Sequence, residues 1–223
     1  MLLMLALLQS IELPAQWRSP RLTRLGPEEG ISSTINAMAQ DSLGFMYFAT
    51  IDGLYKYDGH TFRFFGHDPM DDNSIGEGDV NAIHAARDGK VWMTLRFGGL
   101  NSYDPHTDLF QRYPVPTLSF RSNPGAHGLY EDQNKILWVG ADHFRLLSFD
   151  RSTTQFTSYT PSWIDAEKHG GRLMIMSIVG DKHNASLLWL SVLGYGHQDA
   201  PHPSYGLVSF NTSTKVFTSY PCF

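Results

Sequence analysis

Histidine is the side chain best suited to moving protons near neutral pH or to holding a transition metal. The chain has ten: His60, His67, His84, His106, His127, His143, His169, His183, His197 and His202. They occur singly, and no pair shows the i, i+4 spacing of a helical zinc site. Cys222, the only cysteine, can supply neither a thiolate cage nor an intrachain disulfide. Asp68, Asp71 and Asp72 offer oxygen ligands in one stretch, but it lacks the Asp/Asn alternation and central glycine of a calcium loop and reads as a solvated turn. Asp58, Asp104 and Asp150 recur at one place in a repeat, with Asn211 at the fourth. Recurrence favours turns closed by side chain to backbone hydrogen bonds over a catalytic carboxylate set. No catalytic residue, metal site or cofactor is expected.

The elements that would position any site come from that repeat. Tyr47, Trp92, Trp138 and Trp189 lie in short apolar runs spaced by 45, 46 and 51 residues. Before each comes an apolar pair three apart (Ile35/Met38, Val80/Ile83, Ala126/Leu129, Ile175/Ile178). After each come Tyr57-Asp58, Tyr103-Asp104, Phe149-Asp150 and Phe210-Asn211, then closing aromatics Phe62/Phe65, Phe110/Tyr113, Phe156/Tyr159 and Phe217/Tyr220. A period of this length points to propeller blades or helical arrays. Four short runs per unit, punctuated by turns such as Asp88-Gly89, predict a four-stranded antiparallel meander. Runs such as Ile136 to Val139 are apolar at successive positions, so both faces of the second strand must be covered, as radially packed blades cover them. The expectation is an all-β fold: a β-propeller with four blades of four antiparallel strands, over about 30–73, 74–122, 123–168 and 169–223. The repeated Trp would pack between blades rather than stack on a ligand.

Composition agrees. The 223 residues are 42% hydrophobic, 13% aromatic and only 17% charged, as in a globular protein built from strands. A net charge of -5 and the lack of a basic run argue against nucleic acid, whose phosphates demand a positive stripe. Met1 to Leu8 is an apolar run followed by Pro14, Ala15 and Gln16; residues 1–16 read as a signal peptide, with a buried strand as the alternative because no basic residue precedes the run. The run is too short to span a bilayer, so no membrane insertion by this chain is expected.

At the repeat landmarks the sequence resembles the two-component regulator propeller repeat, found in periplasmic sensor regions of bacterial hybrid histidine kinases. That family's Gly-Leu-Ser opening, acidic turn, Leu-Trp-Ile-Gly-Thr and Gly-Leu-x-x-Tyr-Asp elements correspond to Gly30 to Ser33, Gln40 to Gly44, Met46 to Thr50 and Gly53 to Asp58. The resemblance covers Leu22 to Tyr220. It departs at Arg145-Leu146, where a glycine is missing, and at the insertion His197 to Ser204. It implies a periplasmic or extracytoplasmic propeller that binds a ligand, often a carbohydrate fragment, and controls a kinase elsewhere in its parent, with no enzyme activity in this chain.

Residues 17–29 are expected to form an N-terminal closing strand, at Arg21 to Leu25, and a linker. Because the fourth unit already has its own last strand, that closing strand lacks a partner. The chain therefore reads as part of a larger, about seven-bladed propeller, the alternative being a closed four-bladed ring with a loose arm. A functional site should lie where the units differ, in the loops between second and third strands: Asp52, Arg96, Phe97, Asp142, His143, Tyr195 and His197. Their mix of aromatic surface and polar groups suits an oligosaccharide or similar small polar ligand. Further blades or a second propeller subunit are the expected protein partners. A lyase or hydrolase resembling the streptogramin-inactivating propellers, and a protein-interaction propeller, are the competing readings.

Overall fold

The computed structural model describes residues 22–97, 99–115, 128–141, 144–164, 173–194 and 206–220. One antiparallel meander lies in each of the four repeat units. Blade one holds β1 (Ile35–Gln40), β2 (Met46–Thr50), β3 (Leu54–Tyr57) and β4 (Phe62–Phe65). Blade two holds β5 (Val80–Ala85), β6 (Val91–Leu95), β7 (Gly99–Asp104) and β8 (Leu109–Tyr113). Blade three holds β9 (Leu129–Glu131), β10 (Leu137–Ala141), β11 (Arg145–Asp150) and β12 (Gln155–Tyr159). Blade four holds β13 (Leu173–Gly180), β14 (Leu187–Gly194), β15 (Gly206–Asn211) and β16 (Phe217–Tyr220). The first strands are the inner ones: β1, β5, β9 and β13 follow one another around the axis, and each sheet stacks on the next. The chain is an all-β propeller of four blades.

The core is the set of spaces between blades. Tyr47, Met93, Tyr103 and Phe110 fill the first, Trp92, Leu137, Val139 and Phe149 the second, and Trp138, Leu188, Leu190 and Phe210 the third. Strands β6 and β10 are buried at all five positions, whereas β14 alternates between buried and open residues because one of its faces meets no blade. Trp92 and Trp138 are thus wedges between sheets. Trp189, expected to be one too, lies on the uncovered side of blade four, against Tyr220 at 5.3 Å.

The odd spacings in the repeat have a geometric cause. Two strand residues three apart point to opposite faces unless a bulge intervenes. In the last strands no bulge intervenes, so Phe110 joins the first inter-blade core and Tyr113 the second. The inner strands β1, β5 and β13 do carry a register shift, at Ile35/Ala37, Val80/Ala82 and Ile175/Ser177. The extra residues there are Asn36, Asn81 and Met176.

The repeated Asp58, Asp104, Asp150 and Asn211 close the turn before the last strand. Each accepts a backbone hydrogen bond two residues on, from His60 (2.7 Å), His106 (3.0 Å), Ser152 (2.8 Å) and Ser213 (3.0 Å). In blades two to four this turn ends on a left-handed residue, Asp108, Thr154 or Lys215, with φ of 59°, 56° and 61°. A β-branched threonine is the worst suited of these to that region. Thr154→Gly is expected to raise stability by about 0.5–1 kcal/mol, the relief of strain outweighing the entropy glycine adds to the unfolded chain. Urea denaturation measures it.

The N-terminal segment departs from expectation. Leu22 to Leu25 form no strand, and Leu22 is 93% exposed. A strand exists only by pairing, and β15, the third strand of blade four, is already paired on its outer side by β16. The next residues form instead a short 3-10 turn at Pro27–Glu29, where the Glu29 carboxylate accepts from the Gly26 amide at 2.7 Å. The expected signal peptide lies outside the described residues.

Candidate functional site

The loop after β2 and the loop after β6 open at the same end of the propeller. There the linker 76–79 between blades one and two draws them together. Arg96 donates through Nη1 to Asp79 Oδ2 at 3.1 Å, and its backbone amide reaches the Asp79 carbonyl at 2.9 Å. The Phe97 amide donates to Glu77 Oε2 at 2.6 Å. The linker in turn lies against blade one: a Cβ at Gly78 would sit 3.2 Å from the Asp52 carbonyl oxygen, so only the bare backbone approaches this closely. Asn36 Nδ2 ties the start of β5 to β1, donating to the Val80 carbonyl at 2.8 Å.

This brings Asp52, Arg96 and Phe97 to one blade junction. Asp142, His143, Tyr195 and His197 lie outside the described residues. At the junction the Arg96 guanidinium sits 5.4 Å from the centre of the Phe97 ring, and that ring is 42% exposed. Sequence reasoning did not single out Glu77 and Asp79, which hold the second loop in place. Their only signal was position, in the linker that must cross the same end of the propeller. The patch thus offers an open aromatic surface rimmed by carboxylates, with one cation engaged by Asp79. Such a rim accepts hydrogen bonds from hydroxyl groups and disfavours anions.

A second concavity lies on the axis. Asn36, Asn81, Gly128, Met176 and Ser177 line a cavity of about 270 Å³ between the inner strands. The buried Asn81 Nδ2 has no hydrogen-bond partner. These bulge residues were legible only indirectly, through the three-apart apolar pairs. Among the described residues no group of three His, Cys, Asp or Glu side chains could hold a metal.

No protein-family model matches the chain. Over 89% of its length the chain superposes, with a TM-score of 0.67 and 23% identity, on an extracellular domain assigned to the hybrid two-component system BT3049 of B. thetaiotaomicron. The shared fold is the β-propeller. It is also that of a catalytically inactive virginiamycin B lyase from Staphylococcus aureus with quinupristin, at a TM-score of 0.59, 14% identity, and coverage of 85% of this chain and 56% of that one. In sequence, 67 residues are 37% identical to histidine kinase P4 of Formosa agariphila. This propeller segment spans only 5% of that kinase and 26% of the BT3049 domain.

Proposed function

We propose that this chain is the ligand-sensing propeller region of an extracytoplasmic two-component signalling protein, and that it binds a small polar ligand such as an oligosaccharide at the junction of blades one and two. The observation that carries the site is the exposed Phe97 ring beside the Arg96 guanidinium, with the Glu77 carboxylate on the Phe97 amide and the Asp79 carboxylate on Arg96. An apolar ring face beside acceptors is what a sugar needs, because its C–H face stacks and its hydroxyls donate. The similarity to the BT3049 domain and to a histidine kinase supports the signalling context. In this reading residues 1–16 direct export, the kinase lies elsewhere in the parent protein, and the chain turns over no substrate itself. The ligand acts by binding one conformation of the parent better than another.

Titration calorimetry of the chain with glycan fragments tests the reading. Binding is expected, and Phe97→Ala should weaken it about tenfold, the loss of roughly 1.4 kcal/mol of stacking and burial. Silence from a folded chain across neutral, acidic and amino sugars would overturn the carbohydrate assignment. The likeness to virginiamycin B lyase keeps one competing reading, a propeller enzyme. Turnover that His143→Ala or His197→Ala abolishes would favour it.

A further inference from the structure

Each internal seam between blades is plugged by one apolar residue of the linker that crosses it. Ile75 joins the first inter-blade core, Val115 the second, and Ile164 packs against the third. The third linker also carries Trp163, one residue before its plug, and this residue is 39% exposed. The Ile164 amide donates to the Pro161 carbonyl at 3.1 Å, closing a turn with Ser162 and Trp163 at its centre. Pro161 is buried, so the turn is anchored while Trp163 stays partly in solvent.

Behind Trp163 lies the fully buried Phe144, with the ring centres 5.7 Å apart, and Phe144 also meets Phe217 of β16 at 6.0 Å. Phe144 has a φ of 54°, in the left-handed region that bulky side chains avoid. Its amide donates to the Leu173 carbonyl at 2.9 Å, which ties this conformation to blade four. Backbone strain of this kind persists only where its surroundings over-determine it, and it clusters at binding sites. Beside Trp163 is a cavity of about 230 Å³, with Thr160, Ser162, Lys215 and Val216 in its wall. Lys215 is the only charged residue among its described lining residues. The Lys215 ammonium donates to the Thr212 carbonyl and lies 5.2 Å from the centre of the Tyr159 ring, which keeps it at the seam. An ammonium has three protons to donate, so one carbonyl does not exhaust it. Blades three and four both lie within the chain, and Phe217 in the cavity wall packs on the core that these two blades share.

We propose that this cavity binds a carboxylate carried on a single ring, the ring stacking on Trp163 and the carboxylate pairing with the Lys215 ammonium. The Thr160 and Ser162 hydroxyls can donate to the carboxylate or accept from hydroxyls on the ring. The cavity is smaller than the about 300–1,000 Å³ of sites for drug-sized ligands, which suits one ring rather than a chain of rings. Two classes of compound share this chemistry: a uronic acid, which stacks through its C–H face, and an aromatic acid, which stacks through its π face. The site is opposite in charge to the Phe97 patch, where carboxylates disfavour an anion. It lies at another blade junction and does not depend on the sensing reading.

Proton–nitrogen NMR of the full chain, read at the Trp163 indole and the Val216 amide, tests the proposal. The probes are D-glucuronate and benzoate, with D-glucose as the neutral control. At least one acid should shift both signals saturably, and glucose should bind about tenfold more weakly or not at all. Lys215→Gln and Trp163→Ala should each weaken the acid about tenfold, the latter read at Val216 alone. Both positions are exposed, and Lys215→Gln serves if the loss of Trp163 impairs folding. Phe97→Ala should leave this binding unchanged, which separates it from the site at blades one and two. Binding of glucuronate alone would identify a sugar acid as the ligand class, and binding of benzoate alone an aromatic acid. No saturable shift with either acid, equal binding of glucose, or an affinity unaltered in Lys215→Gln would overturn the proposal.

Discussion

Trp138→Ala should destabilise the propeller by about 3–5 kcal/mol, the range for deleting a large buried aromatic, with the denaturation midpoint as the measure. Trp138 is 2% exposed and packs on Tyr159 at 5.8 Å as well as on Phe210. Its indole also makes a particular hydrogen bond. Asp132 Oδ1 accepts the amides of Asn134 (2.8 Å) and Ile136 (3.0 Å), closing the turn between β9 and β10, while Oδ2 accepts Trp138 Nε1 at 2.9 Å. Asp41 does the same for Tyr47 (3.1 Å) and Asp181 for Trp189 (2.8 Å). In blade two the position is Ala86, and the buried Trp92 Nε1 has no partner. The two tryptophans should therefore respond differently to phenylalanine. Trp138→Phe strands a buried carboxylate oxygen and should cost about 1–3 kcal/mol beyond the lost ring volume, whereas Trp92→Phe removes a donor that is already unsatisfied and should escape that penalty. Equal costs at the two sites would show that the Asp132 bond contributes nothing.

The second large effect is expected at the ion cluster joining blades two and three. Glu131 is 3% exposed and lies at the inter-blade seam. Its carboxylate binds Arg151, accepts the Arg87 amide at 3.0 Å and lies 3.5 Å from His84 Nε2. Arg151 also reaches back to blade two, at 2.8 Å from Asp88. Burial pushes the Glu131 carboxyl up, but the Arg87 amide and the Arg151 guanidinium outweigh it and hold the group below its ordinary range. Arg151→Met leaves the buried carboxylate with the Arg87 amide, the half-exposed Arg87 guanidinium at 3.9 Å and the His84 ring at 3.5 Å, and should cost about 3 kcal/mol at pH 7, as does the loss of one partner of a buried pair. In the variant the carboxyl should rise and take a proton, so the penalty should shrink as the pH is lowered.

Acid should weaken the native cluster too. Glu131, depressed in the fold, contributes stability above the ordinary carboxyl range that is lost as pH falls through its folded value. His84 is also depressed, chiefly by burial. Its folded form binds a proton less readily than the unfolded chain does, so stability declines as pH drops below 6.5. Both signs agree, and the urea midpoint should fall steadily from pH 7 to pH 4.

Much of the fold could be read in the chain. Trp92, Trp138 and their equivalents recur because each blade is folded by the same local rules: a tight turn, an apolar run covered on both sides, and an Asp that closes the next turn. These are short-range facts, and sequence carries them. The three-apart pairs were visible as well, but their meaning differed. At Phe110/Tyr113 the spacing sends rings into two different interfaces, whereas in the inner strands β1, β5 and β13 a bulge accompanies it. Only the register of the paired strand distinguishes the two.

The candidate site was legible in part. Asp52, Arg96 and Phe97 stood out as loop residues that the repeat does not require. That they meet at one junction, with Glu77 and Asp79 as their supports, depends on how the linker crosses between blades. Likewise, the type of Trp189 follows from the repeat, but its exposure does not, because whether a face is covered depends on the blade stacked against it. The sequence by itself determined the unit and its number of strands, since those rest on neighbours within one repeat. Tertiary structure alone decided which faces are buried and which loops converge, since those rest on contacts between residues a whole repeat apart.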